Sequence, residues 1–271
     1  MVTILIAVAL VLYLGASGTL AASFAGGRGV APRAGMLMTS GAVLLHGGAL
    51  LAFALQHAEL PLVGLAPSLC TLAFLIALFL FATMAKESRP IGLVLVPLIA
   101  LLLAVALILG INPSGQAGAF RGPWFSFHVL LAFIGYAGLA TAFAAGVLYL
   151  LQFRELKDKR LGRVFRYFPS LPVLDTLVRR GLLIGFPSLT LALLLGWAWT
   201  VRFQPDFSLA HPQVIWGVLT WLTFAAVLGL RLLRGGNSQR MTALASVVGF
   251  VVVVISYILL RVFLTGGGEF L

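Results

Sequence analysis

Four histidines, His46, His57, His128 and His211, are the residues of this chain best equipped for chemistry. A neutral imidazole can bind a metal, relay a proton near neutral pH, or simply bond a neighbouring carbonyl. His46 and His57 lie in one apolar stretch, eleven residues apart. At about 100° per helical residue they share a face, but about 16 Å of rise separates them, so they do not ligate one metal together. His128 falls about one turn inside the fifth apolar stretch. His211 stands at the mouth of the seventh, beside Pro212, which suits a first helical turn. A haem held by two imidazoles needs two neutral rings on opposite faces of one iron, in an apolar slot lined with aromatic rings. Histidines from two helices, with Trp and Phe between them, could build that slot.

Other chemistries have less to work with. Glu59, Asp206 and Glu269 are the only carboxylates expected on the histidine side, too few to favour zinc or magnesium. Cys70 has no partner for a disulfide, a C-x-x-C site or covalent haem attachment, and reads as a small buried hydrophobe. No nucleophile–base pair is visible, so binding or delivery is expected rather than catalysis. Each histidine also has a plain structural reading. His57 could be a solvated loop residue and His211 helix-start packing, while His46 and His128 could each bond a carbonyl or hydroxyl of a neighbouring helix.

The elements that must position these residues follow from composition. Hydrophobic residues make up 61% of the 271 positions and charged residues only 9%, with mean hydropathy +1.12. A soluble globule of this size could not hide so much apolar surface. Spanning a bilayer takes about 20 apolar residues as a helix. Eight stretches qualify, near 2–24, 34–56, 66–85, 91–110, 124–152, 181–201, 212–232 and 240–264. The expectation is an all-α, polytopic membrane helical bundle forming one integral membrane domain over 1–271. The first stretch carries no Lys or Arg before its core and is longer than a signal-peptide core, so it is expected to remain as a span.

Charge orients the bundle. The connections near 25–33, 86–90, 153–180 and 231–240 hold fifteen of the eighteen Lys and Arg, leaving Arg121, Arg202 and Arg261 for the other side. This alternation is the positive-inside pattern, and it puts both termini on the non-cytoplasmic side. The net charge of +11 then contacts anionic lipid headgroups, and nucleic acid is not expected as a partner. The one extended polar segment, 153–180, is expected as a cytoplasmic loop. In it Pro169 and Pro172 bracket a turn, and Leu174, Leu177 and Val178 mark a short interfacial helix. All five tryptophans, at 124, 197, 199, 216 and 221, fall in the outer halves of spans, on the side of the histidines.

The stretch Trp124-Phe-Ser-Phe-His-Val-Leu-Leu-Ala-Phe-Ile-Gly-Tyr-Ala resembles the histidine-containing helix of the cytochrome c assembly family, the haem-handling proteins that include CcsA and CcmC. Leu174-Asp-Thr-Leu-Val-Arg-Arg-Gly-Leu-Leu-Ile-Gly-Phe-Pro-Ser-Leu-Thr is similar to the family's cytoplasmic entry into the next span. Trp216-Gly-Val-Leu-Thr-Trp-Leu-Thr-Phe-Ala resembles the helix after its tryptophan-rich loop, and His46 sits where the family has a transmembrane histidine. The resemblance covers nearly the whole chain, and the order of the motifs carries it. There are departures. Asp206-Phe-Ser-Leu-Ala-His-Pro occupies the place of the family's WGxxWxWD loop, Gly229 falls where a second transmembrane histidine is usual, and Arg261–Leu271 has no histidine. The pattern resembles the HemX/YpjD-type branch.

The resemblance implies a multi-pass protein of the bacterial inner membrane that binds haem b non-covalently and serves cytochrome c assembly or haem homeostasis. Its partners would be haem and proteins of those pathways. His46 and His128 carry over from the family pattern, whereas His211 is added from its chemistry and position. In this reading His128 and His211 are axial ligands of the haem iron, and Trp124, Trp216 and Trp221 are walls. Arg121 or Arg202 pairs with propionates, and His46 is an inner ligand or a waypoint. A rival reading is a transporter or transporter-associated subunit, with His46 relaying protons and a helix broken at Gly185 and Pro187.

Overall fold

Hydrocarbon offers no hydrogen bonds, so a backbone crossing it must satisfy its own N–H and C=O groups, and the α-helix does this within one segment. That constraint overrides local preference. Val251–Val254, a β-branched run with poor helix propensity, is helical throughout. The computed structural model describes residues 1–26, 32–83, 89–113, 123–159, 162–203, 212–234 and 239–264. Its helices are α1 (Val2–Gly26), α2 (Pro32–His57), α3 (Leu65–Thr83), α4 (Gly92–Leu109, after a 3₁₀ turn at Arg89–Ile91), α5 (Pro123–Lys157), α6 (Arg163–Tyr167), α7 (Leu171–Phe203), α8 (Pro212–Arg234) and α9 (Gln239–Leu264). All except α6 are long and apolar enough to cross a membrane, so this is a multi-pass, all-α membrane protein. Proline opens α2, α5 and α8, where its missing N–H costs nothing. Gly110, at φ 81°, ends α4 in a conformation only glycine adopts freely.

The chain divides into two compact units, residues 1–119 with 151–174, and residues 120–150 with 175–271. In the first, α1 packs on α2 and α4, and α3 packs on α4 and α2. The packed face of α1 is a stripe at three- and four-residue spacing: Val2, Ile6, Ala9, Tyr13, Ala16, Leu20 and Ser23. Leu44, Leu55 and Ile108 are among the most exposed large residues of this unit. In a bilayer that exposure is no cost, because lipid is as apolar as leucine and helix association rests on close packing instead. Hydroxyls are satisfied locally. Ser17, Thr39 and Ser40 each donate to the carbonyl four residues back, and Ser68 and Thr71 donate to Leu62 and Pro61 in the α2–α3 connection. Glu155 accepts from the backbone N–H groups of Gly162, Val164 and Phe165, which caps α6. Tyr167 and Phe168 then rest on Phe24, both at 5.5 Å between ring centroids.

In the second unit, α5 and α7 run antiparallel and touch through backbone. A Cβ on Gly138 would lie 2.6 Å from the Gly181 carbonyl oxygen, and one on Gly185 would lie 3.0 Å from that of Gly135. Small residues at this spacing let two helices approach closely. Phe143 stacks on Phe250 of α9 at 4.3 Å, and the Asp175 carboxylate accepts from the two terminal guanidinium nitrogens of Arg231 at 2.7 and 2.8 Å.

Two expectations change here. The separate interfacial helix at Leu174–Val178 is instead the first part of α7, a single helix of 33 residues that starts just after Pro169 and also contains Pro187. The short helix of this region is α6. The helix is therefore continuous at Gly185 and Pro187, and the backbone break needed by the transport reading is absent there. Gly185 serves packing, since a Cβ on it would also meet the Phe224 ring at 2.9 Å.

Candidate functional site

His128 lies near the start of α5, half-buried against the last turns of α7. Its Nδ1 is 2.6 Å from the Ala192 carbonyl oxygen. A carbonyl only accepts, so Nδ1 carries the proton and Nε2 of the neutral ring carries the lone pair. The contact requires room on α7, and Gly196 supplies it. A Cβ there would fall 2.7 Å from Cε1 and 2.9 Å from Nδ1 of the imidazole. Small residues therefore continue along one face of α7, from Gly181 and Gly185 through Ala192 to Gly196, and the ring lies at the end of that stripe.

Aromatic rings surround this end. Trp124, one turn before His128, donates its indole N–H to the Leu195 carbonyl at 3.1 Å, although its ring stays about half exposed. Phe125 lies 6.5 Å from the imidazole and 6.3 Å from Trp199, centroid to centroid. Trp216 and Trp221 belong elsewhere in the unit. Trp216 sits between Tyr136 and Tyr257 at 5.0 and 5.1 Å and donates to the Val253 carbonyl. Tyr136 is eight residues beyond His128, about 12 Å further along α5. Trp221 packs on Phe186 and donates to the Thr190 hydroxyl at 2.9 Å. The structure thus groups Trp124 with His128 and puts Trp216 and Trp221 in a deeper layer. Arg202 is exposed in the last turn of α7. His211 and Arg121 lie outside the described residues.

His46 belongs to the first unit and is wholly buried. Phe74 of α3 meets its ring edge-on at 5.3 Å and Tyr13 of α1 at 6.1 Å. The Cys70 backbone also approaches it, yet neither ring nitrogen reaches hydrogen-bonding geometry with any described group. His57, at the end of α2, is exposed, with its ring 4.8 Å from Phe53.

Among the described residues no three or more His, Cys, Asp or Glu come together to enclose a bare metal ion. The available ligands are isolated imidazoles, which suit a metal that brings its remaining ligands with it. Sequence reading missed Ala192, Gly196, Phe125 and Tyr13. The one available signal was Gly196 itself, a small residue in the bulky run Leu194-Leu-Gly-Trp-Ala-Trp, where glycine marks close approach.

Fold and site together define a multi-pass helical membrane protein with one imidazole, His128, held by a hydrogen bond in aromatic surroundings. The profile of the cytochrome c assembly proteins matches residues 35–266. The chain belongs to that family. It is also similar to the cytochrome c biogenesis protein CcsA of several organisms. That of Chlamydomonas reinhardtii is 32% identical over 140 residues, 52% of this chain and 38% of the relative. That of Guillardia theta is 30% identical over 155 residues, 52% and 51% of the two chains. That of Prochlorococcus marinus strain MIT 9312 is 33% identical over 164 residues, 54% and 53%. The matched stretches span about half or less of the length of these curated relatives. No solved structure gives a significant match.

Proposed function

We propose that this protein binds haem b non-covalently and handles haem for cytochrome c assembly or haem homeostasis, in the bacterial inner membrane with both termini outside. The observation that carries the reading is the His128–Ala192 bond, which holds the imidazole with its Nε2 lone pair available. The residues fit the group. Haem brings four ring nitrogens of its own, so isolated imidazoles suffice as axial ligands, and it needs the apolar aromatic setting that Trp124, Phe125 and Trp199 provide. Bound there, it would supply a redox-active iron centre. His128 and His211 would hold the iron, Trp124 and Phe125 would limit water, and Arg121 or Arg202 would pair with propionates. His46 would be an inner ligand or a waypoint. Family membership and the similarity to cytochrome c biogenesis proteins support partners in haem-delivery and assembly pathways. The concentration of Lys and Arg in alternate connections supports the orientation.

The test is an absorption spectrum of the protein purified from membranes, oxidised and reduced. A Soret band with low-spin bis-histidine character is expected, shifting to high-spin in His128→Ala and His211→Ala as an axial position opens. Protein without Soret absorption would overturn the reading.

A further inference from the structure

Helices α1–α4 satisfy their buried hydroxyls economically. Ser17, Ser23, Thr39 and Ser40 bond the preceding turn of their own helix, and Ser68 and Thr71 bond the connection beside them. Two side chains break that rule. Tyr13 Oη, His46 Nδ1 and His46 Nε2 are the only buried side-chain polar atoms among the described residues of α1–α4 without a hydrogen-bond partner. Both residues have no solvent exposure. Neither ring can fold back onto its own helix as a serine does, so each needs a partner from outside. Buried polar atoms left unpaired are rare, and each calls for an explanation. The two rings are also each other's neighbours, at 6.1 Å and an interplanar angle of 81°.

Their capacities are complementary. A phenol oxygen accepts as well as donates, and a neutral imidazole offers one N–H and one lone pair. If Tyr13 Oη takes the N–H, the lone pair of the other nitrogen is committed to a ligand. His128 uses the Ala192 carbonyl in the same way. Phe74, on the other helix beside the ring, touches His46 at 5.3 Å but has no polar atom. The Cys70 backbone also approaches the ring but does not reach hydrogen-bonding geometry, which leaves the Tyr13 hydroxyl as the polar side chain beside it.

We propose that Tyr13 is the positioning residue for His46: its hydroxyl accepts the N–H of one ring nitrogen, directly after a small rotation or through one water, and so fixes which nitrogen is presented to a ligand. This deepens the haem reading of His46 and rests on it for the identity of the ligand. The pairing of the two rings stands independently of that identity.

The test uses the full chain purified from membranes with ¹⁵N-labelled histidine, the His46 signals being assigned by their loss in His46→Ala. One tautomer should dominate in the wild type, seen as widely separated nitrogen shifts. Tyr13→Phe, which keeps the ring and removes only the oxygen, should collapse that separation, whereas Phe74→Leu should not. Haemin titration of the same proteins should then show affinity about 10- to 100-fold lower in Tyr13→Phe, the usual effect of losing such a partner. Two mixed tautomers in the wild type, or a pattern unchanged by Tyr13→Phe, would overturn the pairing, and the wild-type spectrum decides this even if the variant fails to accumulate. A fixed tautomer that depends on Tyr13, with haemin binding unchanged in His46→Ala, supports the pairing and removes haem as its ligand.

Discussion

Gly196 and His128 are in contact across the α5–α7 interface, with the imidazole filling the space where any other residue's Cβ would stand. Gly196→Ala should therefore reverse the usual effect of that substitution. In a helix interior alanine gains about 0.5–1 kcal/mol over glycine. Here the methyl would fall 2.7 Å from Cε1, and overpacking costs about 1–3 kcal/mol. The ring can escape only by giving up its bond to Ala192. Lower haem content per protein together with a lowered melting temperature is expected; unchanged haem content would mean that the Ala192 bond does not position the ligand.

The small-residue interface predicts a contrast between two glycines. A Cβ on Gly138 would meet backbone atoms of Gly181 and Gly185 at 2.6 and 2.8 Å, and backbone cannot rotate aside. Among the described residues, nothing lies within 4 Å of a Cβ on Gly229. Gly138→Ala should lower stability by about 1–3 kcal/mol in detergent, whereas Gly229→Ala should be neutral or slightly stabilising. Paired thermal unfolding curves measure the difference.

Asp175 and Arg231 form a bidentate pair whose side chains are 13% and 17% exposed. Removing one member leaves the other charge largely desolvated, so Asp175→Asn should cost about 1–3 kcal/mol, below the cost for a fully buried pair. Added salt should change this little, because screening acts mainly on exposed charges. The exchanged double variant Asp175→Arg with Arg231→Asp should recover part of the loss. Full additivity of the two single substitutions would rule out direct coupling.

Orientation is tested with reporters. One fused after Leu271 should be active outside the cytoplasm, and one inserted near Lys159 should be active inside it, following the Lys and Arg distribution. A cytoplasmic C-terminal reporter would contradict the proposed placement of the termini.

His57 and His46 should separate cleanly on substitution. His57 is exposed, so His57→Ala should leave both spectrum and stability unchanged. His46→Ala should alter haem loading if the residue is a ligand or waypoint. If it only packs, haem should stay unchanged and stability should move slightly, on the scale of about 0.6 kcal/mol measured for polar contacts in membranes.

Composition alone was enough for the class of structure. Runs of about 20 apolar residues must become helices in a bilayer, because no other single segment satisfies its own backbone. Each span is thus a local property of composition. The four histidines were legible as candidates for the same reason, as polar rings in or beside such runs, but nothing in the runs ranked them. The continuity of α7 was harder to read. Proline ordinarily marks a helix boundary, and only the folded chain showed that Pro172 sits in the first turn of this helix and Pro187 within it.

The neighbours of the histidines came only from tertiary structure. Ala192, which fixes the His128 tautomer, is 64 residues away in the chain, and Tyr13 meets His46 from another helix. Helical periodicity tells which residues share a face of one segment, but not which face of another segment lies against it. Hydropathy is also silent here, since lipid and protein interior are nearly equivalent surroundings for leucine or valine. The choice of facing surfaces is made by close packing of small residues such as Gly138, Gly181, Gly185 and Gly196, and that shape complementarity exists only once the helices have met.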